Sequence, residues 1–334
     1  MLLEQIKKST FVVNSIKMKR FLGLLICAVA LNSCDDGNLI LENINFEDVA
    51  TQSCSTNEII YKLKDKEALL LEIPKSIFVN EPTVPGFPTL IDIDNATNQV
   101  VYRFYNGTIT TANICNTIPP ALPNVTDQWT AASGKIQIIT TTIKTIDATN
   151  NSTRISGYNH NLVFKNITFD KTNGIQVYET FPFGDYITPP KNTLPFGFEK
   201  VVKQCSTSKQ LYNRTSSEAL TLDNIDPALI VNTETPLNTP RIAVIGALKN
   251  KLSYRLYSGG VITDDYFCNT TVPVLPSISE EWNALNGGII EVTTIKNGTT
   301  AYKHTIVLKN VVLKKGNSDF KLGDSYAYGD LITN

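Results

Sequence analysis

The only two histidines in the chain, His160 and His304, stand in matching settings, YNHNLVFKN and YKHTIVLKN. An imidazole titrates near neutrality, so a repeated histidine invites reading as a general base or a metal ligand. Zinc requires three or four ligands, however, and no Cys, His or Glu stands at suitable spacing around either residue. Tyr158 and His160 are two apart in a stretch of strand-forming residues and therefore share one sheet face. A packed, hydrogen-bonded strand histidine is the expectation.

The other chemically capable residues also come in pairs. Trp129 and Trp282 offer flat apolar faces of the kind that stack on sugar rings. Val125, Trp129 and Ala132, like Ile278, Trp282 and Leu285, fall at i, i+4 and i+7, a spacing that predicts the core face of a helix. Glu67 and Glu218, with Asp185 and Asp330, supply the carboxylates that a glycoside hydrolase places across a cleft. Nothing in their spacing makes them converge. Asp92 and Asp94 resemble a calcium pair, but the EF-hand spacing is absent and Val244 and Gly246 replace them further on. No G-x-S-x-G, H-E-x-x-H or P-loop pattern is present. No catalytic residue, metal or cofactor is expected, and Trp129, Trp282, His160 and His304 are the candidates for binding.

These pairs exist because the chain repeats itself. FEDVATQSCSTNEIIYKLKDKEALLL, from Phe46, matches FEKVVKQCSTSKQLYNRTSSEALTL, from Phe198. The stretch from Val100 to Trp129 matches that from Leu252 to Trp282, and PFGDYIT, ending at Thr188, matches AYGDLIT, ending at Thr333. Order is kept throughout, and the loop at 147–156 is longer than its counterpart at Asn297-Gly298. The pattern is that of a tandem duplication of one unit. It divides the chain into a first domain at 45–188, a proline-rich linker at 189–196 and a second domain at 197–334.

Each unit reads as mostly β. Stretches such as EALLLEI, VVYRFY and NLVFKNITF are rich in Ile, Val, Tyr and Phe and alternate between turn residues. Asn297-Gly298 marks a hairpin. One short helix per unit is predicted, from the cap Thr126 to Ser133 and from the cap Ser279 to Asn286, with Asp127, Glu280 and Glu281 in the first turns. The recurring Gly-Asp of GDYIT and GDLIT predicts a turn at each unit's end. The fold class is all-β: two tandem β-sandwich-like domains, each with one short helix and one disulfide. Four cysteines allow three pairings. A matched pair within each copy selects Cys54–Cys115 and Cys205–Cys268, and the chain-entropy model assigns such loops about 4 kcal/mol each.

The N-terminus addresses the protein to a membrane. Lys17, Lys19 and Arg20 precede FLGLLICAVAL, an uncharged apolar run too short to span a bilayer, and the run ends in Leu31-Asn32-Ser33-Cys34. This resembles the lipobox of bacterial lipoproteins, in which the cysteine takes a diacylglycerol and becomes the new N-terminus. The resemblance implies a signal peptide at 1–33 with its start at Met18, a lipidated Cys34 and a tether over 34–44. Two or more acyl chains give stable anchoring where one does not. Asp35 and Asp36 resemble the acidic stretch that follows the lipidated cysteine in surface-exported lipoproteins of Bacteroidota, whereas an early Asp resembles an inner-membrane retention signal in enterobacterial lipoproteins. The Asn-, Thr- and Ile-rich composition suits the first group, which implies the outer membrane, with the cell surface as its outward-facing variant.

Residues 1–33 hold five Lys and Arg and one Glu, so from Cys34 onward 30 acidic residues face 25 basic ones. Without a basic stripe, nucleic acid is excluded as a partner. The sequence therefore predicts a lipid-anchored envelope protein that binds or scaffolds, its partner a glycan or another envelope protein. Two copies on one tether predict engagement of a repeating ligand, with avidity about 10²–10⁴ above that of a single site. The alternatives are an envelope carbohydrate-active hydrolase and a spacer without a ligand.

Overall fold

The computed structural model describes residues 43–334. The signal segment, Cys34 and most of the tether lie outside the described residues. The first domain contains β1 (Gln52–Ser53), β2 (Ile59–Lys64), β3 (Glu67–Glu72), β4 (Thr89–Asp92), β5 (Gln99–Tyr105), β6 (Val125–Asp147), β7 (Ser152–Lys171) and β8 (Gly174–Thr188). A one-turn helix, α1 (Thr111–Cys115), lies between β5 and β6. The second domain contains β9 (Val201–Gln204), β10 (Leu211–Arg214), β11 (Glu218–Asp223), β12 (Arg241–Val244) and β13 (Lys251–Ser258). After α2 (Asp265–Cys268) come β14 (Ser277–Ala284), β15 (Ile289–Asn297), β16 (Ala301–Lys315) and β17 (Ser318–Thr333).

Both domains are β-sandwich-like, and each carries one short helix and one disulfide, Cys54–Cys115 and Cys205–Cys268, with Cα–Cα distances of 5.3 and 5.1 Å. The first sheet runs β1-β2-β3-β5-β6-β7-β8, with β4 beside β6. The second runs β12-β15-β16-β14-β13-β11-β10-β9-β17, and β17 pairs back onto β16, so part of the sheet closes on itself. The closing contact is the parallel pairing of β9 with β17. Inside lies an apolar core that includes Leu220, Leu252, Tyr254, Trp282, Ile306 and Leu308. Buried Leu69, Leu71, Val100, Ile136, Leu162 and Phe164 fill the first domain.

The helices are where the cysteines are, not where helical spacing placed them. Each ends in the disulfide cysteine, whereas the segments around Trp129 and Trp282 are strands β6 and β14. The inward residues of β6 are Trp129, Ala131, Ile136, Ile138 and Thr140, a period of two interrupted by register shifts between Ala131 and Lys135. Thr126 and Ser279 look like helix caps but donate across the sheet, to the carbonyls of Phe104 (3.2 Å) and Leu256 (3.0 Å). Cross-strand pairing thus overrides a local helix signal.

The Gly-Asp pairs are likewise not turns. Gly184 and Gly329 lie within β8 and β17 at positive φ, 117° and 136°, beside register shifts. A Cβ on Gly329 would stand 2.7 Å from Val202 Cγ2 and 2.8 Å from the Lys200 carbonyl oxygen, so glycine is what lets β17 close onto β9. The Asp330 amide then donates to that same carbonyl at 2.6 Å.

Candidate functional site

The residues that repeat between the domains form the same contacts twice. His160 is fully buried, with Nδ1 2.9 Å from Thr140 Oγ1 and Nε2 2.9 Å from Thr188 Oγ1. His304 is fully buried between Thr294 Oγ1 (2.8 Å) and Thr333 Oγ1 (2.9 Å). Each ring joins its own strand to the strands on either side, and both nitrogens are occupied. Burial lowers both histidines, His160 to about 4, and Arg241 lowers His304 further. They are neutral at pH 7.

The tryptophans also have a shared arrangement. Trp129 Nε1 donates to Asp127 Oδ2 (2.8 Å) and Trp282 Nε1 to Glu280 Oε2 (3.0 Å), while Lys171 and Lys315 lie over the two rings at 4.1 and 5.7 Å. Tyr102 donates to Glu67 at 3.0 Å and Tyr254 to Glu218 at 2.7 Å. Glu218 is buried and also accepts from the amides of Phe196 (3.0 Å) and Gly197 (2.6 Å). Asp185 accepts from Asn161 and Asp330 from Thr305, each at 2.7 Å. Asp94 caps a turn, its Oδ1 accepting from the amides of Ala96 (2.9 Å), Thr97 (2.8 Å) and Asn98 (2.8 Å), while Asp92 pairs with Lys135. No group of three potential metal ligands occurs among the described residues.

What does not repeat is where the domains meet. The loop that is longer in the first half extends the β6–β7 hairpin, and the hairpin docks on β17. Thr153 Oγ1 accepts from the Lys321 amide (2.8 Å), the Asn150 carbonyl accepts from the Asp324 amide (2.7 Å), and Asn151 donates to Asp324 (2.7 Å). Lys144 pairs with Asp319 at 2.7 Å, and Tyr158 and Ser318 share a buried hydrogen bond of 3.1 Å. On the other flank, Glu81 accepts from the Asn317 amide at 2.6 Å. Ile155 and the linker residue Leu194 pack against the second-domain core. Phe46–Asn334 accordingly forms one compact unit.

The docking leaves a partly open cavity of about 600 Å³ between the domains, lined on one side by the linker from Pro190 to Pro195. Its second-domain wall is Glu280, Trp282, Lys315, Ser318 and Phe320. Its first-domain wall includes Arg154, Ile155 and Tyr158. A volume in this range and a largely apolar lining with a few polar groups are what small-molecule sites have. Glu280 is held by Asn192 Nδ2 (2.7 Å), Lys315 Nζ (3.0 Å) and the Trp282 indole. Burial pushes its carboxyl up, but these hydrogen bonds and the Lys315 charge outweigh that and leave it below the usual range. Glu280 is thus held ionised, and Glu81 is the other carboxylate on the cavity wall.

Of the four binding candidates, the structure brings only Trp282 to the cavity; Trp129, His160 and His304 lie elsewhere. Arg154 and Phe320 are residues that sequence reasoning missed. Their one sequence signal was the longer loop in the first copy, which marks Arg154. No protein-family model, curated protein or solved structure matches the chain.

Proposed function

We propose that this chain is a lipid-anchored cell-envelope protein, attached to the outer membrane through Cys34, whose two β domains form a binding or scaffolding module. The observation that carries the reading is the pair of disulfide-closed β domains docked into one unit around a partly open cavity. Disulfides of this kind persist outside the reducing cytoplasm. The lipobox-like sequence supplies the anchor, and the surface-export resemblance supports an outward orientation, toward a glycan or another envelope protein.

A Cys34→Ala variant tests the anchor. It is expected to leave the membrane fraction or to accumulate unprocessed, and persistence in membranes after a salt wash contradicts the reading. Crosslinking the anchored protein on intact cells tests the module: one reproducible partner or glycan supports binding, and none reduces the protein to a spacer.

A further inference from the structure

We propose that the junction cavity binds a small amphipathic carboxylate, its acid group on the Arg154 guanidinium and its apolar body against Leu194, Trp282 and Phe320. The proposal rests on reading the chain as a binding module, but on neither the anchor nor a macromolecular partner. Arg154 is half-buried, with its guanidinium carbon 4.7 Å from the Phe196 ring centre and 5.5 Å from that of Phe320. Only Nη1 is engaged, with the carbonyls of Thr153 (2.8 Å) and Lys321 (3.4 Å). Among the described residues Nε and Nη2 have no hydrogen-bond partner, and no carboxylate pairs with the side chain. A guanidinium half-buried beside two aromatic rings without a carboxylate partner is only partly hydrated, and burial lowers its pKa. A carboxylate entering the cavity would pair with it, because the planar fork matches that group with two parallel hydrogen bonds.

The remaining charges on the wall do not compete. Lys315 is paired with Glu280, whose oxygens are all occupied, and Glu81 is taken by the Asn317 amide. Lys191 lies exposed on the linker, so three cations face two carboxylates and the cavity carries a net positive charge. Size restricts the ligand, since about 600 Å³ admits a small molecule and not a chain segment of any length. The apolar walls favour an aromatic or aliphatic body over a fully hydroxylated one.

Calorimetric titration of the full mature chain, made with Cys34→Ser so that no acyl chain is attached, tests this. The probes are 2-naphthoate and decanoate, each compared with its neutral alcohol. At least one acid is expected to bind about tenfold or more tightly than its alcohol, the range of a charge-assisted hydrogen-bonded pair. Arg154→Met should abolish that preference while leaving the alcohol's affinity in place. Leu194→Trp, which fills the cavity from the linker, should weaken acid and alcohol alike. If neither acid binds better than its alcohol, or if Leu194→Trp changes nothing, the proposal is overturned. Because the comparison of acid with alcohol is made on the unaltered binding residues, it holds even where a variant fails to fold. An envelope partner found by crosslinking would survive that failure, so the two readings fall separately.

Discussion

Trp129 and Trp282 stand in matching sequence settings, one in each domain, yet only Trp282 borders the junction cavity. Both indoles donate to a carboxylate two residues earlier, and both lie beneath a lysine. The difference comes from their neighbours. Phe320, whose ring centre is 5.0 Å from that of Trp282, is the residue opposite Leu313 in the hairpin; opposite Phe169, in the first domain, stands Gln176. Around Trp282 the linker, the long first-domain hairpin and β17 come together and leave a space. The repeated residues therefore hold each domain, and the exceptions gather where the domains meet.

Four substitutions or conditions would break or sharpen this comparison. Phe320 is buried against Trp282, Phe196 and Arg154, so Phe320→Ala should cost about 3–5 kcal/mol in urea unfolding, with Gln176→Ala within about 0.5. Equal costs would mean that the junction contributes nothing special. Glu218→Ala strands the buried Tyr254 hydroxyl and the partly buried amides of Phe196 and Gly197 and should cost about 3 kcal/mol, against about 1 kcal/mol for Glu67→Ala, where one tyrosine hydroxyl is released.

Acid should weaken both domains. His160 is held at about 4 by burial, below its ordinary 6.5, so the unfolded chain takes up a proton between those values that the folded chain refuses. Its contribution is complete above pH 6.5 and is lost as pH falls toward 4, on the order of 2–3 kcal/mol. Unfolding measured at pH 7 and pH 4 should show that loss, and a His160→Gln variant should show less of it. The smallest effect belongs to the surface pair across the junction. Lys144→Ala removes a partly exposed ion pair with Asp319 and should shift stability by about 0.5 kcal/mol, more at low salt than at high.

Much of the fold was legible because alternation and repetition are properties of the sequence itself. Strand-rich halves, the disulfide pairing and the Asn297-Gly298 hairpin required only local chemistry and symmetry. The helices were misplaced because Thr126-Asp127 and Ser279-Glu280 have the composition of helix caps, and only the facing strands reveal that Thr126 and Ser279 donate across a sheet, while Asp127 and Glu280 accept from the indoles of their own strands. The cavity was not legible, since its walls come from five places distant in sequence. Only the long loop hinted at it. Looking for residues that recur directed attention to His160, His304 and Trp129, which hold their own domain, and away from Arg154, which has no counterpart.

The central claim is that the two domains act as one body with its site at their junction, in place of two equivalent sites acting by avidity. The stoichiometry of carboxylate binding to the intact chain tests it most directly. Calorimetry with 2-naphthoate or decanoate should give one molecule per chain, with the heat lost when Leu194→Trp fills the junction. Two equal sites per chain, still present in Leu194→Trp, would contradict it and return the binding surface to the repeated faces of the individual domains.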